Sequence, residues 1–262
     1  MAPIHNLVDL HTHILPGIDD GSKDVNQSIR MLKMAALNGT KKIICTPHYY
    51  PRKIENEREH VIEALSLLRE AIKLEDLDIE LYAGSEIHVK SDTLNLIKEN
   101  RLQTLNNTKY VLIEFPFIKE YLTVDPAEMI YNFTVEGYVP IVAHPERYTY
   151  VQSNPNLVFD WVKEGALMQI NSNSLFSRNK SLTKVANQLL QAGLVHFIAS
   201  DSHDESHRPP KLKEAYNHIS TKYSETLANQ LLSENGENVI NNKPIQKGDY
   251  TQVKNKKRFF LF

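Results

Sequence analysis

Two histidines stand one residue apart near the start of the chain, within the stretch DLHTHILPGIDDGS at positions 9–22. They are His11 and His13, and they follow a short apolar run of the kind that forms a β-strand. Side chains two residues apart on a strand point to the same side, so both imidazoles would face one site. Imidazole is a common ligand of divalent transition metals. The spacing fits a metal site, but it also fits a strand that ends in polar residues.

Side chains of the types that bind metals or phosphate also follow six later apolar runs. In chain order these residues are His48, Glu86, His88, Glu114, His144, Arg147, Asn171, Asp201, His203 and Arg208. A lone polar residue at the end of a strand is more often a solvated group than a ligand. Recurrence at nearly every strand end is hard to attribute to chance, and it indicates a metal site with several ions.

The apolar runs alternate with amphipathic segments over most of the chain. Strands are predicted at Leu7–His11, Lys42–Thr46, Glu80–Gly84, Tyr110–Phe115, Pro140–His144, Leu167–Asn171 and His196–Asp201. Asp24 and Asp125 are placed as helix N-caps, and Ile54–Leu74 predicts one long helix. Repeated strand–helix alternation predicts a parallel β/α architecture, in which the carboxyl ends of the strands meet on one face. The metal-binding residue types would converge on that face.

This residue set points to phosphate chemistry. Imidazole and carboxylate without thiolate suit Mn²⁺, Zn²⁺ or Fe better than a soft metal. Several such cations lower the pKa of water and stabilise an in-line phosphoryl displacement. Arg147 and Arg208 offer planar forks that match phosphoryl oxygens, with a surface salt bridge as the alternative for each. Metals together with two arginines indicate a phosphoesterase.

Composition excludes several other classes of protein. The 262 residues carry a formal net charge of −2, which offers no basic path for nucleic acid. The single cysteine, Cys45, allows no intramolecular disulfide and favours a cytoplasmic location. A thiol phosphatase loop would need an arginine at position 51, where Pro51 stands. No secretory signal and no transmembrane segment are predicted.

One domain is predicted over residues 1–245, and a basic and apolar tail over residues 246–262. The tail ends in KNKKRFFLF. Tails of this composition are commonly disordered or pack against their own domain. The alternative is docking to an anionic membrane surface or to a membrane-bound kinase, because basic and apolar groups cooperate there.

Seven segments together resemble a known family. They are DLHTHILPGIDDGS, TPHYYP, GSEI, LIEFP, AHPERY, INSNSL and ASDSHDESHRPP. In this order they resemble the PHP (polymerase and histidinol phosphatase) superfamily. PGIDDGS and AHPERY narrow the resemblance to its bacterial metal-dependent protein-tyrosine phosphatases, which are associated with capsular and exopolysaccharide tyrosine kinases. The match runs from about residue 7 to about residue 244.

The resemblance implies a fold, a metal centre and an activity. The fold is a distorted (β/α)7 barrel, and the centre is trinuclear, with Mn²⁺ expected and Fe, Zn or Mg as alternatives. The implied ligands of the first metal are His11, His13 and Asp201, with Glu86 bridging to a second metal that adds Glu114 and His144. The implied ligands of the third are Asp20, His48 and His203. The implied substrate is a phosphotyrosine protein, in particular a bacterial tyrosine kinase.

Several roles stay open at this level. Arg147 and Arg208 match phosphate-binding residues of the family, and His48, His203 or Asp20 could protonate the leaving group. A histidinol-phosphate or other small-molecule phosphomonoesterase is the alternative function. His88 is expected beside the metals rather than on them, and Asp19 has no assigned role. Aromatic residues expected near the site are Tyr49, Tyr50, Phe117 and Tyr121, with packing as the alternative.

Overall fold

A computed structural model describes residues 6–254, which form a mixed α/β fold. The strands are β1 Leu7–Thr12, β2 Thr40–Cys45, β3 His48–Tyr50, β4 Ile54–Glu55, β5 Glu80–Ala83, β6 Glu86–His88, β7 Tyr110–Glu114, β8 Val139–Ala143, β9 Leu167–Asn171 and β10 Phe197–Ala199. The α-helices are α1 Val25–Leu37, α2 Arg58–Leu74, α3 Thr93–Lys98, α4 Pro126–Val135, α5 Thr149–Ser153, α6 Asn156–Lys163, α7 Lys180–Gln191, α8 Lys213–Lys222, α9 Glu225–Asn229 and α10 Asn235–Ile240.

The strands form two sheets that are almost entirely parallel. One has the order β1-β2-β5, and the other has the order β10-β9-β8-β7-β6-β3-β4. Only the short β3–β4 pair among the described strands is antiparallel. A parallel bridge between Thr12 and Ser202 joins β1 to the segment after β10. The amide of Glu86 donates to the carbonyl of Pro47, so the second sheet continues where β2 ends.

Each of the seven predicted strands coincides with an observed strand to within a few residues. Three short strands were not predicted, namely β3, β4 and β6. Two of them, β3 and β6, contain residues predicted for the site, and their three-residue length is too short for an alternation of polar and apolar residues to be recognised.

Helix starts follow the predicted capping residues, with one correction. Asp24 accepts a hydrogen bond from the Gln27 amide, and Asp125 accepts from the second and third residues of α4. The long helix predicted from Ile54 begins instead at Arg58, because Ile54–Glu55 pairs with β3. An amphipathic pattern cannot exclude a short strand directly before a helix.

Both faces of the central strands are buried. In β7, Tyr110 and Leu112 belong to one apolar cluster, whereas Val111 and Ile113 belong to another. This alternation is expected for a strand between a layer of helices and an enclosed interior. Glu114 continues the side of Tyr110 and Leu112, and it emerges at the carboxyl end of the strand. The core therefore fixes the direction in which the last side chain of β7 points.

The segment after the last helix packs along the body of the protein as far as residue 254. Lys247 Nζ donates to the carbonyl of Val162 at 2.7 Å, and the amide of Thr251 donates to the carbonyl of Ala192 at 2.9 Å. Val253 is buried against the main apolar cluster. The alternative of membrane or kinase docking by the tail depends mainly on residues 255–262, which lie outside the described residues. Within residues 6–254, no helix has the length and apolar character to cross a membrane.

Candidate metal centre

The nine side chains that the resemblance assigned to metals lie together at the carboxyl ends of the strands. They fall into overlapping groups whose ligand atoms are within 4.8 Å of one another. The groups are His13–Asp20–His48–His203, His11–His144–Asp201, His11–His13–Glu86 and His48–Glu86–Glu114. Parallel strands direct these residues to one end, as expected for a β/α fold.

The deepest group is formed by His11, His13, Glu86 and Asp201. The two Nε2 atoms of the histidines are 3.2 Å apart. Each of them is 3.2 Å from Glu86 Oε2 and 3.5 Å from Asp201 Oδ1. Ligand atoms about 2.1 Å from one ion at tetrahedral angles lie about 3.4 Å apart, so this spacing suits a common cation.

Glu86 connects this group to its neighbours. Its Oε1 atom is 2.8 Å from His144 Nε2, which in turn is 3.6 Å from Glu114 Oε1. Its Oε2 atom is 3.0 Å from His48 Nδ1. The two carboxylate oxygens therefore face different sets of ligands, as a bridging carboxylate requires.

The third group is nearest to solvent. Asp20 Oδ1 lies 3.5 Å from His48 Nε2 and 3.3 Å from His203 Nε2, and the Asp20 side chain is 60% exposed. His203 Nδ1 is 3.0 Å from the carbonyl of Asp201, which leaves its Nε2 atom directed towards Asp20. His48 lies between this group and Glu86, so it can serve either one.

Hydrogen bonding and charge in the cluster fit cations. Glu86 Oε2, Asp201 Oδ1 and His203 Nε2 are buried without a hydrogen-bond partner among the described residues. Burial by itself would raise the pKa of Glu86, but His11 and His48 outweigh burial and hold that pKa well below its usual range. The pKa of Asp201 is lowered in the same way, with His11 again outweighing burial. Buried, ionised and unpartnered oxygens are costly unless a cation binds them.

Asp19, which had no assigned role, holds two of these histidines in place. Its Oδ2 atom is 2.7 Å from His13 Nδ1 and accepts the amide of His48 at 3.0 Å. Its Oδ1 atom accepts the amide of Gly21 at 3.0 Å. A carboxylate at Nδ1 fixes the imidazole tautomer and leaves Nε2 free for a metal. The second aspartate of the pair, Asp20, is the one that reaches the open group.

Two buried amides form a further chain of contacts. His11 Nδ1 lies 2.9 Å from Gln169 Oε1, and Gln169 Nε2 donates to Asn171 Oδ1 at 2.9 Å. Asn171 Nδ2 then donates to Asp201 Oδ2 at 2.6 Å. Asn171 was among the strand-end residues noted in the sequence, whereas Gln169 was not. The amide donor of Asn171, not a charge, is what contacts the site.

Both predicted phosphate-binding arginines contact the outer oxygen of Asp201. Arg147 donates to Asp201 Oδ2 at 3.1 Å, and Arg208 pairs with the same atom. Their side chains are 31% and 29% exposed, so each guanidinium reaches the rim of the cluster. Because Asn171 also donates there, Oδ2 is saturated with donors while Oδ1 faces the histidines. The arginines are anchored with part of each guanidinium still exposed at the rim.

Two of the residues predicted to be ligands have left-handed backbone conformations. His144 has φ of +33° and Asp201 has φ of +52°, in a region that costs non-glycine residues of order 1–3 kcal/mol each. Hydrogen bonds hold the chain there, including one from the Asp201 amide to the carbonyl of His11 at 2.9 Å. Strain of this kind at ligand positions turns their side chains into the cluster.

The remaining candidates lie around the cluster or away from it. His88 Nδ1 is 3.2 Å from Glu114 Oε2, and Tyr50 stacks on the His88 ring with centroids 4.1 Å apart. The guanidinium of Arg147 lies over the ring of Phe117 at 4.6 Å. Tyr49 is buried in the core, so packing is its role, whereas Tyr121 is 68% exposed.

Comparisons with known proteins agree on one group of relatives. Residues 7–241 match the family model described as capsular polysaccharide synthesis, CpsB/CapC. The tyrosine-protein phosphatase YwqE of Bacillus subtilis is 35% identical over 257 residues, which cover 98% of this chain and all of YwqE. The tyrosine-protein phosphatase CpsB of Streptococcus agalactiae is 31% identical and covers 91% of this chain and all of CpsB.

A solved structure gives the same result. It comes from crystal structures of YwqE from Bacillus subtilis and CpsB from Streptococcus pneumoniae, described as unique metal-dependent tyrosine phosphatases. The superposition has a TM-score of 0.89 at 34% identity, and it covers 95% of this chain and all of the solved one. At this identity and coverage the similarity extends over nearly the whole chain.

Proposed function

The chain belongs to the CpsB/CapC family of capsular polysaccharide synthesis, and we propose that it is a metal-dependent protein-tyrosine phosphatase. The observation that carries the proposal is the convergence of nine imidazole and carboxylate side chains beside two arginines that share Asp201. This arrangement combines a place for cations with fixed positive charge for a phosphoryl group. Relatives at 31–35% identity are tyrosine-protein phosphatases, which suggests the substrate class.

We assign the metals as the family resemblance implies. One ion would take His11, His13 and Asp201, a second would take Glu114 and His144, and Glu86 would serve both. A third ion would take Asp20, His48 and His203. The distances of 2.8–3.6 Å between neighbouring ligand atoms in these sets support the assignment. The donor set has five imidazoles, four carboxylates and no thiolate, which suits Mn²⁺, with Fe, Zn or Mg as alternatives. When bound, divalent cations at such a cluster make water a usable nucleophile near neutral pH and neutralise phosphoryl charge.

The protein's own groups bind and orient the substrate. Arg147 and Arg208 hold the non-bridging phosphoryl oxygens, because each has donors left after its contact with Asp201 Oδ2. Phe117 is partly exposed and stacks with the Arg147 guanidinium, so its ring is available to contact the aromatic ring of the substrate.

The leaving group needs little help from a proton donor. A tyrosine phenolate has a parent pKa of about 10, far below that of an alkyl alcohol. His203, whose Nε2 atom lies 3.3 Å from Asp20 Oδ1, holds the pKa of Asp20 below its usual range, so Asp20 is anionic near neutral pH. Of the three candidate acids, Asp20 is therefore the least suited to donate a proton.

Two rival chemistries are less well supported. Cys45 is fully buried, and burial raises the pKa of its thiol, which removes the thiolate that a cysteine phosphatase needs. A small-molecule phosphatase such as histidinol-phosphate phosphatase would fit the same metals. The relatives named above are tyrosine-protein phosphatases, and none of them is named as a histidinol-phosphate phosphatase.

The remaining parts of the proposal concern the fold, the cellular location and the protein substrate. We interpret the two sheets as a distorted (β/α)7 barrel, in which β2 with β3 and β5 with β6 are halves of two bent strands. The parallel bridge from Thr12 to Ser202 supports closure. A cytoplasmic location accords with a single, reduced cysteine. A bacterial tyrosine kinase that controls capsule or exopolysaccharide synthesis is the proposed protein substrate.

One assay panel tests the proposed activity. The protein is stripped of metal, reloaded with Mn²⁺, and offered a phosphotyrosine peptide, histidinol phosphate and single-stranded DNA. We expect hydrolysis of the phosphotyrosine peptide after reloading, none before it, and little turnover of the other two. Preferred turnover of histidinol phosphate would favour the rival function. The variant His11→Ala is expected to lose metal and activity together, and a fully active, metal-replete variant would refute the site.

A further inference from the structure

A cavity of about 470 Å³ is lined in part by the two arginines, and Phe117 is not among its lining residues. Arg147 and Arg208 form its inner wall, and Phe176 and Lys211 are among the residues that line the rest. This volume falls in the range of about 300–1,000 Å³ that is typical of pockets for small groups. The cavity is continuous with the proposed phosphate site because the same guanidinium groups line it.

The cavity is positively charged. Its lining contains three basic side chains and one acidic one, Glu214, in a protein whose formal net charge is −2. Lys211 is exposed and forms no ion pair within residues 6–254, whereas both arginines are partly neutralised by Asp201. The lysine is therefore the cation of this wall that is free to meet an incoming anion.

The walls of the cavity are two chain segments that hydrogen-bond to each other. One wall follows β9, where Ser172–Leu175 form a short 3₁₀ turn, and the other is the segment Arg208–Lys211 after β10. Ser172 Oγ donates to the carbonyl of Lys211 at 3.3 Å and so ties the two walls together. Phe176 is 40% exposed there and offers an apolar surface next to the charges. A basic pocket with an apolar side suits the methylene groups and carboxylate of a Glu side chain.

We propose that this cavity is a specificity site for an acidic side chain that flanks the phosphotyrosine of the protein substrate. The proposal rests on the proposed function, since it takes Arg147 and Arg208 as the phosphate site. A cavity of this volume is about 10 Å across, which an extended peptide covers in about three residues. The acidic residue therefore lies within about three positions of the phosphotyrosine.

The test uses pairs of phosphotyrosine peptides that differ only by Glu or Gln at one position from −3 to +3. For the Mn²⁺-loaded enzyme we expect kcat/KM to be about two- to fivefold higher with Glu at one of these positions, mainly through KM. This range corresponds to a partly exposed ion pair. The preference should shrink as salt is raised, because surface charges are screened.

Charge reversal at the free lysine separates this site from a general effect of charge. The measured quantity is the ratio of kcat/KM for the Glu peptide to kcat/KM for the matching Gln peptide. This ratio should fall below one in the Lys211→Glu variant and should approach one in the Lys211→Gln variant. The matched control is Lys213→Glu, two residues further on and outside the lining, which should keep the wild-type ratio. Each ratio compares a variant with itself, so a change in overall activity does not affect it.

The outcomes distinguish the two levels of the proposal. Hydrolysis of all peptides with a ratio of one at every position overturns the acidic site and leaves the phosphatase assignment intact. Equal effects of Lys211→Glu and Lys213→Glu overturn it as well. Failure of the Mn²⁺-loaded protein to hydrolyse any phosphotyrosine peptide contradicts the proposed function itself.

Discussion

Asp19 provides the sharpest test of how the cluster is held together, because it contacts two of the proposed metal ligands without being assigned as one. The substitution Asp19→Asn keeps the shape of the side chain and removes its charge. In the native protein three donors converge on this carboxylate, from His13 Nδ1, the His48 amide and the Gly21 amide. An asparagine has only one acceptor oxygen for them, so at least one contact is lost.

The consequence for metal binding follows from the tautomer of His13. If the asparagine amide donates to His13 Nδ1, the ring proton moves to Nε2, the atom that faces Glu86 and Asp201. That atom then cannot bind a cation. Loss of such an outer partner commonly costs 10–100-fold in metal affinity, equivalent to about 1.4–2.7 kcal/mol.

The assay is a titration of metal-free protein with Mn²⁺, followed by calorimetry and in parallel by hydrolysis of a phosphotyrosine peptide. We expect the midpoint for Asp19→Asn to rise 10–100-fold, with most of the activity regained at saturating Mn²⁺. Asp78→Asn, at a side chain that is 91% exposed, removes the same charge and should leave the titration unchanged. Unaltered affinity and activity in Asp19→Asn would refute the positioning role.

Three further perturbations test other parts of the structure. Arg147→Lys should raise KM for phosphotyrosine peptides about tenfold or more while metal content, measured by mass spectrometry, stays unchanged, because a lysine cannot form a two-point contact. Gly21→Ala should lower Mn²⁺ affinity and activity together, since a Cβ atom there would lie 2.0 Å from the carbonyl oxygen of His13; normal metal content would contradict this reasoning. Burial lowers the pKa of His196 to about 3, so its neutral form stabilises the protein above the unfolded pKa of about 6.5, and this stability is lost as pH falls towards 3. His196→Gln should therefore reduce the slope of unfolding free energy against pH between pH 6 and 4 by up to about 1.4 kcal/mol per unit in urea titrations of metal-free protein, whereas the exposed control His60→Gln should not.

The family could be predicted from the sequence because the motifs that identify it are short, continuous segments. PGIDDGS and AHPERY are short motifs, and the predicted resemblance is confirmed by the match over residues 7–241 and by relatives named tyrosine-protein phosphatases. Seven of the ten described strands could be predicted for a similar reason, since each is an apolar run bounded by turns. The start of α2 was wrong because pairing of Ile54–Glu55 with β3 depends on the rest of the sheet.

The residues that contact the predicted metal ligands from outside could not be identified from local sequence patterns. His11 meets Gln169 across 158 positions of chain, and nothing in a neutral glutamine distinguishes it in sequence from one on the surface. Asn171 likewise matters through one amide hydrogen bond, which is visible only once β9 and the segment after β10 are adjacent. Asp19 and Asp20 are neighbours in sequence, and only the path of the loop separates their roles.

The sequence by itself determined the family, the order of strands and helices and the residue types available for metal and phosphate. These follow from periodicity, capping and short motifs, all of which act over a few residues. Only the tertiary structure decided which oxygen of Asp201 faces the histidines, which aspartate orients His13, and that a basic cavity adjoins the arginines. These depend on distances between side chains from different strands, and packing of the whole sheet sets those distances.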